Sequence, residues 1–167
     1  YYFHPIDAES VSTLIEAVYE PHWEHYKRYF GNTFAGFFSD EPQLGNDYMD
    51  GWSGDRTTRY NRQIGMPGLA LPWSDALLKD MQSALDGKAT TLLAALWYPM
   101  GDIHTKVRYA YMDALTRLWR ASFSEQLGKW CEAHGVEYIG HIIEDMNAHA
   151  RMAYSAGHYF RALDGQH

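Results

Sequence analysis

Two pairs of adjacent acidic residues each follow a short apolar stretch of the sequence. Asp40 and Glu41 come after TFAGFF, and Glu144 and Asp145 come after VEYIGHII. Hydrolysis of a glycosidic bond needs two carboxyl groups, one to protonate the leaving oxygen and one to activate water or attack the sugar. Glu41 and Glu144 are therefore candidate catalytic residues. We assign Glu41 as the acid, because burial beside Phe37 and Phe38 would favour its protonated form. Glu144 is then the base or nucleophile, and the two roles can also be exchanged.

The acidic pairs are also compatible with a role in turns or in a metal site. Carboxylates after a strand commonly cap a helix or lie in a solvated turn. His141, Glu144 and His149 would alternatively supply ligands for a divalent metal in a metal-dependent hydrolase. However, residues three apart on a strand point to opposite faces, which argues against a metal site that uses both His141 and Glu144. We expect Asp40, Asp145 and His141 to contact substrate or support the catalytic pair.

The elements around the acidic pairs follow the same order twice, a helix and then a short strand. Gly31 and Gly135 end the two helices, and the strands are predicted near residues 33–38 and 137–143. Nearly continuous apolar strands are typical of parallel sheets covered on both faces. Because chemistry in such folds lies at the carboxyl ends of the strands, this pattern would bring the two acidic pairs together.

The pattern predicts a helix-rich α/β fold in a single domain over residues 1–167. Two strands do not close a (β/α)8 barrel, which needs about 250 residues. The chain is therefore expected to be either part of such a barrel or a small α/β domain. As a slice of a barrel it would expose apolar strand edges, through which it could associate with itself. Its activity in isolation is then not expected.

Apolar spacing predicts helices in the rest of the chain. Asp7 should cap a first helix that Pro21 kinks or restarts, and Ser74 should cap another that ends at Gly87. A long helix is predicted over residues 103–133, whereas TTLLAALWYP fits either a helix or a buried strand. Cys131 falls on the apolar face of the long helix, so we predict that it packs there and is not a nucleophile.

Residues 44–72 contain five glycines and no apolar periodicity, which predicts a long loop directly after the first strand. Loops of this length in a compact domain are usually functional or disordered, so we predict a binding loop over the active site. Trp52 lies within this loop and Trp73 directly follows it. They would either form platforms for sugar rings or belong to the core.

The composition argues against several classes of function. The net charge is -7 and the chain has no run of Lys and Arg, so a nucleic-acid partner is not expected. The sequence contains no apolar stretch of about 18 residues, so no membrane span is expected. Cys131 is the only cysteine, which rules out an intrachain disulfide and favours a reducing, cytoplasmic location.

Two stretches, FFSDEP and the later WCEAHGVEYIGHIIED, resemble the catalytic barrel of bacterial glycoside hydrolases of the α-L-rhamnosidase-like group. LPWS, residues 71–74, fits the same pattern. The resemblance implies a (β/α)8 catalytic domain and a carbohydrate substrate of α-L-rhamnoside type. It places Glu41 and Glu144 at the positions of catalytic carboxylates. It also implies a calcium ion near the sugar hydroxyls in some members, with ligands that we cannot assign in this sequence.

A non-catalytic interpretation competes with the enzyme. In that interpretation the chain is a carbohydrate-binding or structural α/β module, with Trp52 and Trp73 as ring platforms and the acids as caps. The position of the carboxylates separates the two hypotheses, because catalysis requires them to face each other within about 10 Å.

Overall fold

The computed structural model describes residues 3–42, 44, 70–142 and 156–167. Within these residues, seven α-helices and two strands are joined by short π-helical and 3-10 turns. In chain order the elements are α1 (Ala8–Leu14), a π-helical turn (Ile15–Tyr19), α2 (Glu20–Tyr26), a 3-10 turn (Lys27–Tyr29), β1 (Gly36–Asp40), α3 (Asp75–Ala84), α4 (Ala89–Leu92), a 3-10 turn (Leu93–Leu96), α5 (Ile103–Trp119), a π-helical turn (Arg120–Ser124), α6 (Glu125–Ala133), β2 (Glu137–His141) and α7 (Tyr159–Leu163).

The two strands form a parallel pair, as the sequence predicted. Their register runs from Gly36 opposite Glu137 to Asp40 opposite His141. The predicted bounds of the first strand were wrong, since residues 33–35 precede the strand and Asp40 belongs to it. Residues 33 and 34 instead complete a tight turn after α2, in which the N–H of Phe34 donates to the carbonyl of Tyr29 at 2.8 Å.

The sheet has two unlike faces, because side chains alternate along each strand. We call Phe37, Ser39, Tyr138 and Gly140 the helix face. Tyr138 is fully buried there, and Phe37 stacks on Tyr19 from the helical layer with ring centroids 4.2 Å apart. We call Phe38, Asp40, Ile139 and His141 the open face. Phe38 is 60% exposed and Ile139 is 44% exposed, so the expectation of strands covered on both faces was wrong.

The helices carry most of the hydrophobic core. The long helix predicted over residues 103–133 is present as α5 and α6, joined by the π-helical turn. Tyr111, Trp119 and Phe123 are buried along it. TTLLAALWYP is helical through α4 and the 3-10 turn that follows, so the alternative of a buried strand was wrong.

The predicted caps of two helices are confirmed. The side chain of Asp7 accepts hydrogen bonds from the N–H groups of Glu9 and Ser10 at the start of α1. Ser74 accepts one from the N–H of Leu77 at 3.1 Å at the start of α3. Pro21 lies in the first turn of α2, directly after the π-helical turn, where its missing N–H costs little.

The described part of the chain is thus a helix-rich α/β fold with one two-stranded parallel sheet. Most of the loop predicted over residues 44–72 lies outside the described residues. Among the described helices, none combines the length and the apolar character that crossing a membrane requires.

Candidate functional site

The carboxyl ends of β1 and β2 bring three of the predicted site residues together. Asp40 and His141 are opposite each other in the register, and Oδ1 of Asp40 lies 3.1 Å from Nε2 of His141. Glu41 follows directly, and its N–H donates to the carbonyl of His141 at 3.2 Å. We call Asp40, Glu41 and His141 the strand-end site. It arises because the parallel register aligns residues that are about a hundred positions apart in sequence.

Glu41 has an unusual backbone conformation. Its φ is 49°, in the left-handed region that residues other than glycine rarely adopt. That conformation costs roughly 1–2 kcal/mol for an L-residue, so the surrounding structure must hold it. The backbone bond to His141 and the buried Pro42 are two groups that hold it. Strained residues of this kind cluster at functional sites, which makes Glu41 a candidate functional residue.

The surroundings of Glu41 differ from those expected for a buried general acid. We expected Phe37 and Phe38 to bury its side chain, since burial favours the protonated form of a carboxyl group. That expectation was wrong, because Glu41 is exposed. Phe37 turns towards the helix face, and Phe38 is itself exposed on the open face. Within the described residues, the protein does not cover this carboxylate.

His141 is held by its carboxylate partner. When Nε2 carries a proton it donates to Asp40, which leaves Nδ1 as the acceptor in the neutral ring. Nδ1 is buried, and no group among the described residues forms a hydrogen bond with it. The ring also lies beside Phe38, with centroids 5.8 Å apart. Asp40 therefore fixes the orientation of the imidazole at the edge of the sheet.

Phe38 is a residue of this site that was not predicted from the sequence. The sequence pattern predicts it only as one member of a buried apolar run. The alternation of side chains places it on the same face as Asp40, two residues later, so period-2 counting back from the acid would have found it. An exposed aromatic ring next to a carboxylate and an imidazole can contact the apolar face of a ring-shaped ligand.

The remaining predicted site residues are not brought to the strand-end site by the described structure. Glu144, Asp145 and Trp52 lie outside the described residues, so their roles stay predictions. Trp73 is partly buried and packs against the hydrophobic core, and its carbonyl accepts a hydrogen bond from Nε2 of His4 at 2.9 Å.

The described residues contain no group of three or more His, Cys, Asp or Glu side chains arranged to hold a metal ion. The alternative site at His141, Glu144 and His149 lies largely outside them and stays a prediction. Cys131 is fully buried, and burial raises the pKa of its thiol to about 12. Because the thiolate is the nucleophilic form, this environment is that of a packing residue.

We compared the chain with protein families, curated proteins and solved structures. No protein-family model, no curated protein and no solved structure matches the chain. The likeness to glycoside hydrolases therefore rests on the motifs FFSDEP, LPWS and WCEAHGVEYIGHIIED.

Proposed function

We propose that this chain carries the catalytic edge of a glycoside hydrolase that uses Glu41 and Glu144 as its carboxyl pair. The observation that carries the proposal is the parallel register of β1 and β2. It pairs Asp40, the residue before Glu41, with His141, which lies three positions before Glu144 in the sequence. Two chain segments that each continue into a glutamate therefore leave the sheet at the same edge.

In the proposed reaction, Glu41 donates a proton to the glycosidic oxygen as the bond to the sugar breaks. Glu144 either removes a proton from the attacking water or attacks the sugar itself, in which case water later releases the sugar. The exposure of Glu41 means that the bound sugar, together with residues outside the described part, would have to exclude water from it. Asp40 and His141 would hydrogen-bond sugar hydroxyls, and Phe38 would contact the apolar face of the ring.

The open face supports the finer proposal that the sheet is part of a (β/α)8 barrel. In such barrels helices cover the outside of the sheet, and apolar side chains fill the inside in layers. Here the described helices pack on only one face, and Phe38 and Ile139 form an exposed apolar layer on the other. Asp40 and His141 lie next along the strands, where a barrel has its active site. We accordingly propose that additional parallel strands extend this sheet at its edges and close it into a barrel, with the open face on the inside.

The test is hydrolysis of a panel of 4-nitrophenyl glycosides that includes the α-L-rhamnopyranoside. It is run on this chain and, if the chain is part of a longer protein, on that protein. With an alkyl glycoside of the sugar that is hydrolysed, whose leaving group needs a proton, Glu41→Gln and Glu144→Gln should each lower kcat/KM by about 10²–10⁴-fold, because each removes an acid or base that acts in the transition state. Glu137→Gln is the matched control. Like Glu41, Glu137 is an exposed glutamate, but it lies at the opposite end of the sheet.

The proposal fails if either carboxyl variant hydrolyses substrate at nearly the wild-type rate, or if no glycoside in the panel is hydrolysed. Binding of a glycoside without turnover would instead favour the non-catalytic carbohydrate-binding module.

A further inference from the structure

A groove lies on the helical layer, lined by residues of α5 and of the segment around α7. Its volume is about 570 Å³, within the range of sites for small ligands. We call it the lateral groove and define it by Tyr109, Met112, Asp113, Thr116, Phe160 and Arg161. None of its lining residues belongs to β1, β2 or the strand-end site.

The floor of the lateral groove is held by close packing. Gly157 has a φ of 85°, and a Cβ atom there would lie 2.3 Å from Oγ1 of Thr116 and 3.2 Å from Cε of Met112. The hydroxyl of Thr116 accepts a hydrogen bond from the N–H of His158 at 3.1 Å and lies 2.9 Å from the carbonyl oxygen of Ala156. The segment that enters α7 is therefore fixed against α5, so the groove is preformed.

Two large aromatic side chains stand exposed at the groove. Tyr109 is 71% exposed and Phe160 is 79% exposed, the highest values among the large hydrophobic residues that the structure describes. Phe160 also packs edge-on against Tyr159, with ring centroids 5.5 Å apart and an interplanar angle of 86°. That neighbour limits the movement of the Phe160 ring, which leaves a flat apolar surface available for stacking.

The charges at the groove neutralise one another. Nη1 of Arg161 lies 2.8 Å from Oδ1 of Asp113, and Nε of Arg117 lies 3.1 Å from Oδ2 of the same carboxylate. Arg117 also pairs with Asp80 at 3.0 Å. Two acids and two arginines give no net charge that would select an ionic ligand. The half-exposed Arg161 still has guanidinium N–H groups beyond the one bound to Asp113, and these can donate to a neutral ligand.

We propose that the lateral groove is a second carbohydrate site, which binds a neutral oligosaccharide by stacking a sugar ring on Tyr109 or Phe160. A sugar ring combines apolar faces with a rim of hydroxyl groups. It therefore matches a groove that offers aromatic surface, guanidinium donors, carboxylate acceptors and no net charge. The choice of a carbohydrate rests on the proposed function, since the same polymer would be bound here and cut at the strand ends.

The experiment measures binding and not turnover, so that failure of the two proposals can be told apart. Neutral oligosaccharides of glucose, galactose, mannose, xylose and rhamnose are titrated into the Glu41→Gln chain and followed by calorimetry. We expect at least one to bind. Phe160→Ala or Tyr109→Ala should then weaken its binding about tenfold, the effect expected from losing one ring contact. Both rings are exposed, so neither change should impair folding.

Tyr26→Ala is the matched control, since Tyr26 is 51% exposed on α2 and does not line the groove. Its variant should bind like the parent. The proposal is overturned if no oligosaccharide in the panel binds, if neither groove variant changes the affinity, or if Tyr26→Ala weakens binding equally. Hydrolysis by Glu41→Gln at the wild-type rate would overturn the proposed catalytic role of Glu41 and leave the groove result standing.

Discussion

The helix face and the open face of the sheet are built from alternate residues of the same two strands, yet they meet different surroundings. On the helix face, Tyr138 is fully buried and its hydroxyl lies 2.8 Å from Oγ of Ser39. On the open face, Phe38 and Ile139 are exposed, and Asp40 pairs with His141 at the strand ends. One set of side chains therefore stabilises the fold, and the other set is free to take part in chemistry. This division allows each face to be tested without the other.

The largest expected difference is between the neighbours Tyr138 and Ile139. Tyr138→Ala removes a fully buried ring and should lower the free energy of unfolding by about 3–5 kcal/mol. Ile139→Ala should lower it by less than about 1 kcal/mol, because that side chain is already 44% exposed. Urea denaturation followed by circular dichroism measures both. Equal losses would show that the open face is covered in solution.

A smaller loss is expected from adding one methyl group to the sheet. A Cβ atom on Gly140 would lie 2.4 Å from the carbonyl oxygen of Ser39 on the neighbouring strand. Gly140→Ala should therefore push the strands apart and destabilise the protein by about 1–3 kcal/mol in the same denaturation assay. Gly87→Ala is not a suitable control, because its φ of 78° would strain an alanine. Ala133→Gly instead changes one methyl group at an exposed position of α6. A variant of Gly140 as stable as the wild type would contradict the described register.

On the open face, Asp40→Asn should affect activity more than stability. The side chain of Asp40 is 76% exposed, and ion pairs that open to solvent contribute little to folding. The substitution removes the charge that orients His141, so we expect kcat/KM for a glycoside to fall about tenfold while the melting temperature stays nearly unchanged. A lower melting temperature with unchanged kinetics would reverse this assignment and make Asp40 a structural residue.

The smallest effect concerns Asp113, a carboxylate of the helical layer. Its partial burial alone would raise its pKa, but hydrogen bonds from Arg161 and Arg117 outweigh burial and hold the pKa below the ordinary value of 3.8. Such a group stabilises the fold at pH values above the pKa that it has in the unfolded chain. This stabilisation is lost as the pH falls through the lower pKa of the folded state. Asp113→Asn should therefore lower the melting temperature modestly at pH 7.

The difference between Asp113→Asn and the wild type should narrow as the pH falls below about 4. Thermal melts of both proteins from pH 2 to 7 provide the comparison. Asp40→Asn serves as the control from the open face, since its carboxylate is mostly exposed. A difference that stays constant with pH would mean that the two arginines do not stabilise the charged form of Asp113.

Much of the sheet could be predicted from the sequence, because glycine stops followed by apolar runs identify both strands and their parallel pairing. The identity of the open face could not be predicted. Phe37 and Phe38 are the same residue type, and only contacts with helices distant in sequence decide which of them is buried. The left-handed backbone of Glu41 was equally hidden, since it depends on the bond to His141 across the sheet. Position 41 is not a glycine or an asparagine, the residue types that usually indicate a left-handed backbone conformation.

The helices, too, could be predicted from the sequence only in part. Caps at Asp7 and Ser74 were predictable because they depend on bonds to residues two or three positions away. The π-helical turns at Ile15–Tyr19 and Arg120–Ser124 were not, since both sequences have ordinary helical spacing. Such turns are inserted within a continuous helix, so the apolar spacing of the sequence does not record them.

The central claim is that Glu41 protonates the leaving group at the edge of the sheet. The dependence of kcat/KM on the leaving group tests this claim most directly. The kcat/KM of wild type and Glu41→Gln is measured with a 4-nitrophenyl glycoside, a 2,4-dinitrophenyl glycoside and an alkyl glycoside of the same sugar. If Glu41 is the acid, the variant should be most impaired with the alkyl leaving group. It should be least impaired with 2,4-dinitrophenolate, which leaves without a proton. An equal loss with all three leaving groups would contradict the assignment.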